Sequence, residues 1–406
     1  MATADTITSS RAGANGQTGK LTVSVVIPCL NEAESIAICV RKARETMEAT
    51  GIRGEVVVAD NGSTDGSPDL AREAGGRVIH ESRKGYGNAY LAGFAAAQGE
   101  YILMGDADDT YDFTQIERFI GPLEEGADLV MGSRLKGNIH PGAMPWLHRY
   151  VGNPVLTGLL NLFFRTGVSD AHCGMRAFRR DVLPRLDLRT TGMEFASEHV
   201  IRSSKVGLDI REIPIDYHPR AGESKLSSFS DGWRHLRFLL LHSPTWLFLI
   251  PGLALMMAGL LIGTIVVGEL DLFGRDWGLH SLILAAMLAI VGAQVLQLGF
   301  SARAYAAYYL GEHDPIFDRL RDRLRLEHGL AAGAAVLLAG LVAAAIVVGI
   351  WIDRGLGALE EEKLAVIGVT LVVLGIQTIF GAFFLSVLGL RRRHRSLQDP
   401  QPRHPE

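Results

Sequence analysis

From Leu21 to about Tyr217, short runs of β-branched and apolar residues alternate with stretches of helical period. That alternation predicts an α/β domain around a largely parallel sheet. Val23-Ser24-Val25-Val26-Ile27 reads as the first strand, stopped by Pro28. Asn31 then caps a helix, with Glu34 as its capping-box partner, and Ile36, Val40, Ala43 and Met47 form the inward stripe. Glu55–Ala59, Arg77–His80, Tyr101–Met104 and Leu129–Met131 read as further strands, the last ending at Gly132-Ser133-Arg134.

The pattern changes twice downstream. Between Pro145 and Arg165 large apolar residues crowd a segment bracketed by His148, Arg149 and Arg165. Periodicity alone leaves two readings, an amphipathic helix at a membrane interface or a core helix. Phe229 to His242 repeats the composition and directly precedes four long apolar stretches, which favours the interface there. Those stretches, Thr245–Val267, His280–Phe300, Leu330–Ile352 and Leu364–Leu390, are each long enough to cross a hydrocarbon core of ~30 Å. The expected organisation is a tail over 1–20, a catalytic domain over 21–228 with its interfacial helix near 145–165, a juxtamembrane helix over 229–243, a four-helix membrane domain over 244–390, and a basic tail over 391–406.

Composition agrees. The chain has 406 residues, 48% of them hydrophobic, with a formal net charge of −4. That is too apolar for an ordinary soluble protein and carries no nucleic-acid signature. Three cysteines, Cys29, Cys39 and Cys173, argue against a disulfide framework. Charge is sorted by loop. Glu269, Asp271 and Asp276, then Asp353, Glu360, Glu361 and Glu362, occupy the first and third connections; Arg303, Arg319, Arg321, Arg323 and Arg325 occupy the second, and Arg391, Arg392, Arg393 and Arg395 the tail. The positive-inside rule then puts both termini and the catalytic domain in the cytoplasm. Met1–Lys20 lacks the apolar core of a signal peptide, which leads to the same expectation.

The candidate chemistry centres on Gly105-Asp106-Ala107-Asp108-Asp109, directly after the apolar run Tyr101-Ile102-Leu103-Met104. Carboxylates at i and i+2 past a strand end can converge on one Mg²⁺ or Mn²⁺ and leave positions open for phosphate oxygens. Asp109, Asp112 and His172 are candidates for a third ligand. Asp60-Asn61-Gly62-Ser63-Thr64-Asp65-Gly66 is a polar turn at another strand's carboxyl end, where open α/β sheets bind ligands; an Asx turn is the alternative reading of Asp60. Lys84-Gly85-Tyr86-Gly87 precedes a helix, and glycines there let backbone approach an anion.

Taken in order, Val25-Val26-Ile27-Pro28-Cys29-Leu30-Asn31-Glu32, Ala59-Asp60-Asn61-Gly62-Ser63-Thr64-Asp65 and Gly105-Asp106-Ala107-Asp108 resemble family 2 glycosyltransferases, whose catalytic domain has the GT-A nucleotide-sugar fold. Ser169-Asp170-Ala171-His172-Cys173-Gly174-Met175-Arg176-Ala177-Phe178 and Arg220-Ala221-Gly222-Glu223-Ser224-Lys225-Leu226 are similar to the polyprenyl-phosphate branch, which includes dolichol-phosphate mannose synthase and undecaprenyl-phosphate glucosyltransferases. The resemblance implies a GT-A domain followed by an all-α membrane domain. It implies inverting transfer of a hexose from a UDP-glucose or GDP-mannose type donor to a polyprenyl phosphate at the cytoplasmic face. It places Pro28, Asn31, Glu32, Asp60, Asn61, Lys84, Gly85, Asp106 and Ala107 at the donor, and Asp106 and Asp108 at Mg²⁺ or Mn²⁺. Arg134, Arg149, Arg176, Arg220, Ser224 and Lys225 fall at the acceptor phosphate, and Asp108, Asp170 and Glu198 at the chemistry. For Glu32, favourable interaction with its helix dipole is the alternative.

Two other readings compete: a same-fold enzyme acting on another lipid or a polysaccharide, and an inactive membrane scaffold. Gly232-Trp233-Arg234 is not the Gln-x-x-Arg-Trp motif of processive export synthases, which weighs against the first. The intact acidic and basic constellations weigh against the second. Homo-oligomerisation is left open.

Overall fold

A computed structural model describes residues 21–221, 228–271, 277–309, 326–358 and 361–395; in 228–231 and 390–395 it describes the backbone alone. The chain divides into two units, one ending at Leu239 and the other starting at Leu240.

The first unit is a mixed sheet of seven strands in the order β3-β2-β1-β4-β6-β5-β7. These are β1 (Val23–Cys29), β2 (Gly54–Asp60), β3 (Arg77–His80), β4 (Tyr101–Met104), β5 (Leu129–Ile139), β6 (Arg176–Arg179) and β7 (Ile210–Tyr217). β1, β2, β3 and β4 are mutually parallel, and β6 runs antiparallel between β4 and β5. Along β1 the side chains alternate between two cores. Val23, Val25 and Ile27 pack with Ile36, Cys39, Val40, Ala43 and Met47 of α1 (Ile36–Ala49). Val26 faces the opposite core with Tyr90 and Phe94 of α3 (Tyr86–Ala96), following α2 (Ser67–Glu73). Strands buried on both faces read as continuous apolar runs, which is why they were legible.

Three expectations need correction. Pro28 does not stop β1: it pairs with Ala59, and the strand continues to Cys29. Cys29 O accepts from Asn61 N on the β2 side. By alternation Pro28 turns toward β4, where pairing has ended at Val26–Met104, so its missing N–H costs no ladder bond. Asn31 does not cap α1 either. It sits in the left-handed region (φ 53°), the helix begins at Ile36, and Ser35 is the residue before it. Finally, β5 does not end at Gly132-Ser133-Arg134; it runs on to Ile139 through an irregularity between Ser133 and Asn138.

Helices α4 (Ile116–Glu124), α5 (Asn153–Phe164), α6 (Leu183–Leu186) and α7 (Phe195–Lys205) complete the unit, and α8 (Ser228–Leu241) ends it. The segment expected near 145–165 is helical from His148, and its apolar residues are largely outside: Trp146 is 68% exposed, Tyr150 58% and Val155 53%.

The second unit has four helices long and apolar enough to cross a membrane: Thr245–Val267, Leu279–Tyr309, Leu326–Asp353 and Glu362–Gly389. The first ends in α9 (Ile250–Val267); the others lie in α10 (Leu279–Tyr309), α11 (Leu326–Asp353) and α12 (Glu362–Arg395). Lys363 Nζ lies 3.2 Å from Glu269, so the first and third connections are on one side of the bundle, as four antiparallel crossings require. Close backbone approach rests on glycine. A Cβ at Gly259 would lie 2.6 Å from both Ala285 O and Ala289 N, and one at Gly375 2.5 Å from Leu337 N. Such small-residue seams replace the hydrophobic drive that lipid removes. Asp276, Arg319, Arg321, Arg323, Arg325 and Glu360 lie outside the described residues.

Gly259→Val should split the α9–α10 contact, because the atoms it meets are backbone and cannot rotate away. The expected cost is about 1–3 kcal/mol, read as a lower thermal midpoint of the detergent-solubilised protein; an unchanged midpoint would show that the helices separate freely.

Candidate active site

The acidic stretch leaves β4 where the parallel strands β1, β2 and β4 end together, at the carboxyl edge that open α/β sheets use for ligands. Asp106 and Asp108 are held differently. Tyr86 Oη and Tyr90 Oη donate to the same oxygen of Asp106, Oδ1, at 2.8 and 3.2 Å. The two tyrosines are i and i+4 on α3, hence on one face. The other oxygen, Oδ2, comes so near Gly174 that a Cβ there would lie 2.7 Å away. Burial, then the neighbouring Asp108 charge, push the Asp106 carboxyl up to about 6 despite the two tyrosines. Asp108 is buried; its Oδ1 accepts from Thr110 Oγ1 at 2.6 Å and its Oδ2 lies 3.3 Å from Arg220 Nη1.

Arg220 therefore does not stand on a separate acceptor side. Its Nη2 donates to Glu32 Oε1 at 2.9 Å, so it bridges the segment after β1 and the acidic stretch. Backbone bonds add to this closure: Ala221 N donates to Asp108 O and His218 N to Thr110 O. Two neighbouring carboxylates, one raised by burial and by its neighbour's charge and the other drawn to an arginine, are a donor set that fits a hard divalent cation. Among the described residues no group of three or more His, Cys, Asp or Glu forms a metal cluster. The candidates for a third ligand are engaged elsewhere. Asp109 takes Lys42 Nζ at 2.8 Å, Asp112 accepts from Thr114 N and Oγ1, and His172 packs against Ser197 and His235.

At the end of β2, Asp60 accepts from Gly62 N, Ser63 N and His80 Nδ1. Burial alone would raise it, but the bonds from Ser63, His80 and Gly62 hold it below the ordinary carboxylate range. It is thus the Asx-turn residue as well as an anion at the strand end. Asn61 is a clamp between loops: Nδ2 donates to Glu81 O and Arg83 O, while Oδ1 accepts from Gly85 N at 2.7 Å. Lys84 Nζ donates to Asn61 O, and Asn31 Oδ1 accepts from Thr64 N. Pro28, Asn31, Glu32, Asp60, Asn61, Lys84 and Gly85 are therefore gathered along one rim, with Ala107 buried beneath.

The remaining predicted residues separate from that rim. Arg134 and Asp170 form a buried two-bonded ion pair, Nε to Oδ2 and Nη2 to Oδ1 at 2.8 Å each. Burial opposes the Asp170 charge, but Arg134 holds the carboxyl below its ordinary value. Arg134 Cζ also lies over the Tyr217 ring at 5.2 Å, and its Nη1 makes no hydrogen bond among the described residues. Arg176 is fully buried and spends its guanidinium on three carbonyls, Cys173 O, Ala196 O and Ala171 O. It braces the wall from inside and cannot reach an acceptor phosphate. Glu198 accepts from Arg189 N and Thr190 N; it anchors the loop whose Thr191 O receives Gly87 N. Neither Asp170 nor Glu198, both expected at the chemistry, presents a free carboxylate: Arg134 engages the first and backbone N–H groups the second. Arg149 lies on the exposed apolar segment, its guanidinium 5.4 Å from the Tyr150 ring. Ser224 and Lys225 lie outside the described residues.

Tyr86, Tyr90 and Glu212 were missed from sequence. Glu212 accepts from Ser169 N and Oγ and from Asp170 N, holding the Asp170 turn to β7. The i, i+4 tyrosines one helix before an acidic turn were a readable signal; Glu212 had none.

Residues 24–186 match glycosyl transferase family 2, and residues 300–389 match the family's C-terminal transmembrane region. The low-salt glycan biosynthesis hexosyltransferase Agl6 of Haloferax volcanii is 44% identical over 369 residues, 91% of this chain and 89% of that protein. The chain belongs to glycosyl transferase family 2. Its catalytic unit has the GT-A fold, and with four apolar helices it is an integral membrane glycosyltransferase. The dolichyl-phosphate hexose transferase of the same organism is 35% identical over 211 residues, 52% of this chain and 89% of that protein. Among solved structures, glucosyl-3-phosphoglycerate synthase from Mycobacterium tuberculosis, complexed with Mn²⁺, UDP-glucose and phosphoglyceric acid, shares 24% identity and a TM-score of 0.44 over 55% of this chain and 78% of that one. Overlap at that level says nothing about substrate.

Two measurements probe this glycosyltransferase site. Arg134→Ala or Asp170→Ala alone should cost about 3–5 kcal/mol by stranding a buried charge, whereas Arg134→Met with Asp170→Leu should recover most of it; denaturation midpoints decide. The second concerns His172 and His199, whose burial holds both rings well below 6.5. The unfolded chain binds those protons more readily, so stability should be flat above about pH 6.5 and fall below it, by about 1.4 kcal/mol per pH unit for each ring. Melting curves at pH 5.5 and 7.5 check the sign, and His199→Leu should flatten the slope.

Proposed function

We propose that this glycosyltransferase moves a hexose from a nucleoside diphosphate sugar to a polyprenyl phosphate at the cytoplasmic face of the membrane. The observation that carries the reading is the convergence of Asp106, Asp108, Glu32 and Arg220 at the sheet's carboxyl edge, a site matched to a diphosphate with its cation. The relatives named as a hexosyltransferase and a dolichyl-phosphate hexose transferase support the sugar class and the lipid class.

On this reading Asp60 and Asn61 shape the nucleoside end of the rim, and Glu32 and Lys84 flank it. Asp106 and Asp108 would hold Mg²⁺ or Mn²⁺, which when bound supplies charge neutralisation for the leaving diphosphate. Arg220 turns from Glu32 and Asp108 to the phosphates as the donor enters. The acceptor phosphate, whose second pKa is about 6, is ionised near neutrality. Its oxygen attacks the anomeric carbon as the bond to the diphosphate breaks, with inversion, and no proton needs to be removed. That suits a site in which Asp170 and Glu198 are already engaged. Arg134, through Nη1, and Arg149 are the described cations offered to the acceptor, joined by Ser224 and Lys225. The exposed Trp146, Leu147, Tyr150 and Val155 dip into the interface and bring Arg149 to the lipid's headgroup level. The sorting of acidic and basic loops supports a cytoplasmic position for this face.

The test is formation of prenyl-phosphate sugar by the full chain in vesicles, offered a panel of UDP- and GDP-sugars with Mg²⁺ or Mn²⁺. Product is expected with at least one donor, with Asp108→Ala lowering turnover by about 10²-fold or more and chelator abolishing it. Glycosylation of some other acceptor, with no prenyl-phosphate sugar from any donor, would overturn the lipid assignment; undiminished turnover in EDTA would overturn the metal role.

A further inference from the structure

The membrane unit carries polar chemistry that the transfer reaction does not use. Gln294 and Gln297 on α10 and Gln377 on α12 line one recess of about 300 Å³ between the two helices. Gln294 is the sixteenth of the 31 residues of Leu279–Tyr309, and Gln377 the sixteenth of the 28 residues of Glu362–Gly389. At 1.5 Å per residue each lies about 18 Å or more from either end of its span, deep within a core of ~30 Å. Among the described residues none of the three amides makes a side-chain hydrogen bond, and Gln377 Oε1 is buried without a partner. Ser301, in the same recess, has turned its hydroxyl back to Gln297 O of its own helix. Three unsatisfied amides in hydrocarbon are costly, because the solvent offers no donors or acceptors.

What satisfies them must bring both donors and acceptors to mid-membrane depth. Acyl and prenyl chains have neither, and phosphate and sugar headgroups stay at the surface. A second glutamine-bearing helix face has both. Primary amides are self-complementary, and a two-fold axis along the bilayer normal would set the same residues of two copies at the same depth. We propose that this recess is a self-association seam, in which Gln294, Gln297 and Gln377 of one chain hydrogen-bond to those of a second copy within the bilayer.

Single-molecule photobleaching of the fluorescently tagged full chain, reconstituted in phosphatidylcholine vesicles over a range of protein-to-lipid ratios, tests this. Two-step bleaching should rise with protein density. Gln294→Leu with Gln377→Leu should shift the equilibrium about tenfold or more toward monomer. One-step bleaching at every density, or a Leu variant that associates like the parent, would overturn the seam. A second measurement does not depend on the glutamine variant folding. Leu298, 52% exposed beside the recess, is replaced in the otherwise unaltered chain (Leu298→Cys) and treated in membranes with a short thiol-bridging reagent. A cross-linked band at dimer mass is expected; its absence overturns the seam.

Discussion

Two carboxylates two residues apart, at the end of a buried strand, set the terms for the catalytic unit. Asp106 is pushed up by burial and by Asp108, which means the fold holds negative charge there without full compensation. Nearby elements answer that charge. Tyr86 and Tyr90 turn their hydroxyls to Asp106, Arg220 comes across from the end of β7 to Asp108, and glycine at 174 lets the Asp106 oxygen approach. A charged site assembled this way is destabilising until something cationic enters it. That is the usual relation between a binding site and the stability of its fold.

Support for the site comes from groups that look catalytic in sequence and whose bonds in the fold are largely to other parts of the wall. Arg134 and Asp170 neutralise each other inside the wall, Arg176 ties three carbonyls together, and Glu198 anchors the loop on which Gly87 rests. Each buried charge is matched by an opposite charge or several dipoles, as burial demands. Glycine at 85 and 87 belongs to the same device. A Cβ at Gly87 would lie 2.1 Å from Thr190 O, so the α3 N-terminus can sit against that loop only without side chains. Tyr86 lies between those glycines, so the loop held by Glu198 also fixes the tyrosine that holds Asp106.

The strands around the site were legible because burial on both faces writes an unbroken apolar run. Tyr101–Met104 and Arg77–His80 have the bounds expected, and Thr245–Val267 does as well, for the simpler reason that lipid tolerates little else. The acidic stretch was legible from its place after such a run. What escaped were properties of pairing. β6 lies inside a motif that reads as ligand-binding, and nothing in Arg176-Ala177-Phe178-Arg179 says that it runs antiparallel. An Arg in a basic motif looks the same whether it meets a phosphate or three carbonyls, and long-range partners such as Glu212 leave no local trace. Asn31 misled because its side chain does accept a backbone N–H, but from Thr64 across the cleft, not from its own helix.

The way these groups are spent bears on the chemistry. A transferase acting on a hydroxyl needs a base near its acceptor. The carboxylates expected in that role, Asp170 and Glu198, have their oxygens occupied by Arg134 and by backbone N–H groups. An acceptor that arrives already ionised requires no such base, only cations to receive it and a cation to relieve the departing diphosphate. A wall rich in arginine and poor in free carboxylate, joined to a helix whose aromatic side chains stay outside, is therefore more consistent with a lipid phosphate than with an alcohol. The same economy accounts for Arg220: it holds Glu32 and Asp108 together, so the acidic rim is closed on itself, and on the proposed reading a diphosphate would open the site by competing for that guanidinium.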